Sequence, residues 1–127
     1  MMDISHLDHL VLTVKDIPAT VRFYQDVLGM TAITFGEGRT ALVFGQQKIN
    51  LHQAGEEFEP KATHVQPGSA DLCFIAATPL ETVMMHFDKL GVIVEDGPVK
   101  RTGATAPLIS LYVRDPDGNL IEVSNTL

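Results

Sequence analysis

Two apolar runs in the chain, "LDHLVLTV" (7–14) and "SADLCFIA" (69–76), read as strands, and each carries a lone polar residue near its start, His9 and Asp71. Each run is followed by a proline-bearing turn and then an amphipathic stretch. Val21, Tyr24 and Leu28 fall at helical spacing in the first stretch, and Val83, Phe87 and Leu90 in the second. Pro18 and Pro79 suit the start of a helix, where a missing N–H is tolerated, and Gly29 and Gly91 suit the position that ends one. Placing His9 over Asp71, "HLVLTVKDIPATVRFYQDVLGM" overlies "DLCFIAATPLETVMMHFDKLGV" without a gap. Leu10/Leu72, Thr20/Thr82, Val21/Val83, Asp26/Asp88, Leu28/Leu90 and Gly29/Gly91 are then identical pairs. That is the signature of an internal duplication.

Three further strands are expected in each copy. They lie near "TAITFG", "TALVFG" and "KINLHQ" in the first, and near "VIVEDG", "LISLYVRD" and "LIEVSN" in the second. "DPDGNL" (115–120) has the Asp-Gly step of a tight hairpin. The polar stretch 54–69, with two prolines, reads as a linker. The expected organisation is α+β: a βαβββ module over about 5–53, a linker over about 54–69, and a second βαβββ module over about 70–126, all within one domain.

Composition narrows the function classes. No apolar run reaches the ~20 residues of a membrane helix, and no secretion signal is legible in "MMDISHLDHL". A single cysteine, Cys73, excludes an intrachain disulfide framework and fits a reducing cytoplasm, the expected location. The net charge is −7 and the nine Lys and Arg residues are scattered, which argues against a nucleic-acid partner. A small-molecule substrate is the expected partner.

Alternation across the strands assigns faces. Leu10, Leu12 and Val14 form an aliphatic set for the helix side, leaving His9 on the opposite face; Leu72 and Phe74 do the same for Asp71. Ile49-Asn50-Leu51 aligns with Ile121-Glu122-Val123, so Asn50 and Glu122 occupy equivalent inward positions, with His52 two residues beyond Asn50. Inward polar groups are costly unless paired, hydrogen-bonded or bound to metal. Imidazole with carboxylates is ligand chemistry for Zn, Ni, Mn or Fe(II).

At these residues the chain resembles the vicinal oxygen chelate superfamily, which unites glyoxalases, bleomycin-resistance proteins and extradiol dioxygenases. The resemblance runs through both copies of the repeat and "LYVRDPDGNLIEVSN". "INLHQAGEEFEPKATH" and "GPVKRTGA" are further similar to the glyoxalase-domain-containing protein 5 group, which includes a bacterial virulence protein. The resemblance implies paired βαβββ modules forming a cup around one divalent metal. Small members of the family often form homodimers and build sites across subunits. It implies metal ligands at His9, Asp71 and Glu122, with His52 as a further ligand or substrate contact, and Glu122 or a metal-bound water moving the proton. Asn50 stands where a glyoxalase carries a carboxylate; a neutral amide is a poor ligand and no base, so Asn50 is read as orienting substrate.

The activity implied is metal-dependent lyase or isomerase chemistry on a small oxygenated substrate. A small-molecule-binding resistance protein is one alternative. An extradiol dioxygenase is another, although His9, Asp71 and Glu122 supply only one histidine to its triad unless His52 joins. "VKRTGAT" (99–105) reads as a basic, glycine-containing loop, either solvated or offering Arg101 and Thr102, with Lys100, to a substrate carboxylate or phosphate. His64 in the linker is read either as a substrate contact or as an exposed loop histidine. His86 is read as structural; Cys73, two residues after Asp71, is expected to point into the cup, against the default of a small buried hydrophobe for a free cysteine.

Overall fold

The computed structural model describes residues 1–127 and divides into two units, Met1–Pro67 and Gly68–Leu127. Unit 1 comprises β1 (His9–Val14), α1 (Ile17–Asp26), β2 (Thr31–Phe35), β3 (Arg39–Phe44) and β4 (Gln47–Gln53). Unit 2 repeats that order with β5 (Asp71–Ile75), α2 (Leu80–Leu90), β6 (Asp96–Thr102), β7 (Pro107–Arg114) and β8 (Leu120–Thr126). The sheets have matching topologies, β1-β4-β3-β2 and β5-β8-β7-β6. In both, the first strand runs parallel to the last and the remaining pairs are antiparallel. The α+β βαβββ duplication read from the sequence is the observed architecture.

Each helix covers one face of its own sheet. In unit 1 the helix side is filled by Leu12, Val14, Leu42, Ile49 and Leu51, with Tyr24 of α1 fully buried. In unit 2, Leu80, Val83 and Phe87 of α2 are buried, as are Leu111, Val113, Ile121 and Val123 of the sheet. Leu90, expected on the same apolar stripe, is 44% exposed. Leu80, Val83 and Phe87 centre the stripe, and at 100° per residue Leu90 falls on its flank.

The helix starts are fixed from the last strand of each sheet. The Gln53 amide accepts from the Ile17 backbone N–H and donates to the Lys15 carbonyl. At the equivalent place in unit 2, Asn125 Oδ1 accepts from the Leu80 N–H (2.7 Å), and Nδ2 donates to the Thr78 (2.9 Å) and Ala76 (3.2 Å) carbonyls. Asp16 also caps α1 through the Ala19 N–H, whereas Pro79 has no side chain able to cap α2, so Asn125 serves a helix start lacking a local cap. Gly91 ends α2 at φ +70°, a left-handed conformation that favours glycine.

The β7–β8 turn is caged by Asp115, which is buried. Its carboxylate accepts from the Asp117 and Asn119 N–H groups (2.9 Å each) and from the Asn119 amide (2.8 Å). Asn119 Oδ1 in turn accepts from the Ala70 N–H (2.8 Å), tying the turn to the residue preceding β5.

The strand expected at "VIVEDG" lies further along: pairing begins at the Glu95 N–H to Tyr112 carbonyl bond, and β6 runs from Asp96 to Thr102. The segment read as a basic loop, 99–105, is therefore strand up to Thr102. Pro98 suggests the end of a strand in sequence, but β6 is the edge of its sheet, where proline is tolerated, and a register shift between Asp96 and Val99 absorbs it.

Asn125→Ala is expected to lower the stability of the folded chain by about 2 kcal/mol, since it leaves one N–H and two carbonyls at the start of α2 without their partner. Gln53→Ala should cost less, about 1 kcal/mol, because α1 keeps its Asp16 cap. Urea unfolding midpoints measure both; an unchanged midpoint for Asn125→Ala would refute the anchoring role.

Candidate functional site

Pairing register places the expected inward residues on the sheet faces opposite the helices. In unit 1, His9, Val11 and Thr13 pair with Lys48, Asn50 and His52 and share their face. His9 is 44% exposed and its Nδ1 is hydrogen-bonded to Asp8 Oδ1 (2.8 Å). Asn50 and His52 are buried, and Asn50 Oδ1 and His52 Nδ1 have no hydrogen-bond partner. Phe58, from the segment after β4, sets its ring edge-on to His52 at 5.6 Å, and the Arg39 guanidinium lies 4.3 Å from the Phe58 ring centre. Burial, reinforced by the Arg39 charge, lowers the His52 pKa from its ordinary 6.5, so the imidazole is neutral at pH 7. A cavity of about 440 Å³ lies against this face, walled by Val11, Thr13 and His52 from the strands and by Pro60, Lys61, Ala62 and Val65 from the following segment. His64 is exposed and is not among those lining residues.

In unit 2, Asp71, Cys73 and Ile75 of β5 share a face with Glu122 and Ser124 of β8 and with Ser110 and Tyr112 of β7. Ser110 Oγ donates to Glu122 Oε2 at 2.6 Å and lies 2.6 Å from Ser124 Oγ, which is 3.4 Å from Cys73 Sγ. Ser124 Oγ also lies 3.4 Å from Glu122 Oε2, so both serine hydroxyls converge on the carboxylate, with the Cys73 thiol beside them. Burial pushes the Cys73 thiol pKa up, opposed by the Ser124 hydrogen bond and reinforced by the Glu122 and Asp71 charges, so the sulfur remains a thiol at neutral pH. Cys73 is exposed on the open face, where strand parity from Asp71 puts it, and is not the default buried hydrophobe. It sits on the open face of an edge strand, and no helix covers it.

On the other side of Glu122, the Tyr112 hydroxyl accepts from Arg101 Nε (2.9 Å). Burial raises the Tyr112 pKa; Arg101 pulls it down and hydrogen bonding to Glu122 pushes it up again. Cys73, Ile75 and Glu122 line a pocket of about 310 Å³, closed by the turn from Thr102 to Ala106 together with Leu108 and Thr126. Gly103 forms the pocket's tight corner. Its N–H bonds the Ala106 carbonyl at 2.9 Å, and a Cβ there would stand 2.5 Å from that oxygen and 2.9 Å from Leu108.

Thr102 and Glu122 thus meet at one pocket, with Arg101 linked to Glu122 through Tyr112. Asp71 lies exposed on the same face. His9, Asn50 and His52 belong to unit 1. Nowhere in the chain do three His, Cys, Asp or Glu side chains gather so as to hold a metal ion. His86 is exposed on α2. Sequence reasoning gave no role to Ser110, Tyr112 or Ser124, although Ser110 and Ser124 are polar residues at inward parity in apolar strands and Tyr112 shares their face. It also missed the Lys61–Val65 wall, for which the linker carries no periodic signal.

A family model described as the Glyoxalase/Bleomycin resistance protein/Dioxygenase superfamily matches residues 6–123. The chain belongs to this superfamily. It is 58% identical over 123 residues to virulence protein STM3117 of Salmonella typhimurium, covering 97% of this chain and 85% of that protein. It superposes on an integron cassette protein from the mobile metagenome of V. cholerae with a TM-score of 0.96 at 65% identity, each chain covered to 98%. A lactoylglutathione lyase from Agrobacterium tumefaciens shares the glyoxalase-like fold at a TM-score of 0.74 and 25% identity, with 97% of this chain and 95% of that one covered. No helix is long and apolar enough to cross a membrane.

The lowered His52 pKa carries a pH signature. Acidification protonates His52 more readily in the unfolded chain, so the stability it contributes is full above 6.5 and is lost as pH falls through the lowered folded value. The stability advantage of the wild type over His52→Gln should therefore shrink between about pH 7 and pH 5. Urea unfolding across that range measures it; a constant difference would mean that His52 titrates alike in both states.

Proposed function

We propose that the chain is a glyoxalase-like enzyme of lyase or isomerase type acting on a small oxygenated substrate, with Glu122 moving the proton. The observation that supports this is the Glu122 carboxylate at the wall of the unit 2 pocket, with Oε2 held by Ser110 at 2.6 Å. A carboxylate fixed through one oxygen keeps the other for a proton taken from carbon. Tyr112, itself bonded by Arg101, steadies the carboxylate from its far side. Thr102 orients the substrate from the pocket rim.

Within each unit no three metal-ligating side chains gather, and the candidate ligands His9 and Glu122 belong to different units. No step of the proposal is therefore routed through a metal. Asn50, in place of a glyoxalase carboxylate, is consistent with weak activity on the methylglyoxal–glutathione hemithioacetal. We also propose that the chain forms a homodimer, because the outer strands of each sheet leave unpaired edges.

The test is a panel of small oxoaldehydes and epoxides offered with thiols, assayed with and without added Zn, Ni, Mn or Fe(II). Turnover of at least one panel member is expected, falling by about 100-fold or more in Glu122→Gln, with slow isomerisation of the hemithioacetal. Tight binding of a panel member without turnover would move the reading to a small-molecule-binding or resistance protein. Metal analysis of the purified protein runs alongside. About one retained ion per chain, lost in both His9→Ala and Glu122→Ala, would show that both units contribute to a metal site. Sedimentation reports the dimer.

A further inference from the structure

The wall of the Glu122 pocket carries charge of one sign. Thr102, Thr105 and Thr126 bring hydroxyls and Glu122 a carboxylate, over an apolar floor that includes Ile75 and Leu108. Asp71 shares the face, and its charge and that of Glu122 both act on Cys73 in the pocket wall. The adjoining cation is committed elsewhere. Arg101 gives Nε to the Tyr112 hydroxyl (2.9 Å) and Nη1 to the Lys100 carbonyl (3.0 Å), and its Nη2 stands 3.7 Å from Asp96 Oδ2. All three guanidinium nitrogens therefore face protein oxygens, and Arg101 is not part of the pocket wall. Lys100 alternates to the other face of β6. The segment that reads in sequence as a receptor for a substrate carboxylate or phosphate instead presents threonine hydroxyls to the pocket.

An anionic ligand entering here would meet like charge at close range without a counter-ion in the wall, which is costly where water is partly excluded. Hydroxyls, which both donate and accept, suit uncharged carbonyl and hydroxyl oxygens. Resting on the reading of Glu122 as the group that moves the proton, we propose that the pocket selects an uncharged α-hydroxy or α-oxo compound. An amide, ester or ketone is taken, and the matching acid or phosphate is turned away. Glu122 sets this choice by its charge, the threonine hydroxyls hold the neutral oxygens, and Ile75 and Leu108 hold the hydrocarbon.

Mandelamide and mandelate have one shape and differ by one charge, so they serve as probes, titrated into the full-length protein by calorimetry as purified and again after a chelator. Binding is read at equilibrium and needs no turnover, so selection by charge can fail or hold whether or not the enzymatic reading does. Mandelamide is expected to bind about fivefold or more tightly than mandelate. Glu122→Gln, which keeps the shape and removes the charge, should bring the two within about twofold, chiefly by tightening mandelate. Thr105→Lys, at an exposed position of the closing turn, should favour mandelate by about threefold relative to the wild type. Glu81→Gln makes the same change of net charge on α2, across the sheet from the pocket, and should leave the preference unchanged. Equal or tighter binding of mandelate, a preference that survives Glu122→Gln, a preference lost in Glu81→Gln, or no binding of either probe up to about 20 mM would each overturn the proposal.

Discussion

Each unit depends on the parallel pairing of its first and last strands, because that pairing brings both ends of the module to one place. β4 lies beside β1 and β8 beside β5, and the strand that arrives last carries the amide that holds the start of the helix. A parallel pair cannot be closed by a short hairpin, so its register must be held by other contacts. Gln53 and Asn125 do this from equivalent positions with side chains of different length. The same strands carry His52 and Ser124 one residue earlier, so the anchor that orients each helix also fixes how far the polar groups on the opposite face project.

The duplication, the strand parity and the equivalence of Asn50 with Glu122 were legible because they rest on local periodicity. Parity correctly put Leu12 and Val14 under α1 and Glu122 on the open face. It could not see what each side chain would meet. His9 found Asp8 next to it, and His52 found Phe58 folded over from the segment beyond β4. Ser110 was legible as a polar residue in an apolar strand, but its contact with Glu122 depends on the β7–β8 register. The same limit applies to β6. Pro98 is a strong local signal for interrupting a strand, and only the edge position of β6 makes it compatible with pairing on to Thr102.

The two open faces have diverged in chemistry while keeping one topology. Unit 1 stacks cations on aromatic rings, Arg39 on Phe58 at 4.3 Å and the Lys48 ammonium on Phe35 at 3.8 Å, beside a buried neutral imidazole. Unit 2 instead gathers a thiol and two hydroxyls about a carboxylate. The first arrangement favours recognition of charge and shape, and the second favours moving a proton. A duplicated scaffold can carry both because the helix side, which determines folding, is insulated from the opposite face by the sheet.

The irregular start of β6 has a consequence for how the folded protein behaves in a crowded solution. An outer strand offers its unpaired backbone to any neighbouring strand, the first step of ordered aggregation. In β6 the register shift between Asp96 and Val99 breaks the flat ribbon such a neighbour would need, and Pro98 supplies no donor. Lys100 and Arg101 then place charge along the rest of the edge. A substitution that regularised this strand would strengthen its ladder, yet it would also turn the outer edge of unit 2 into a template for fibre growth.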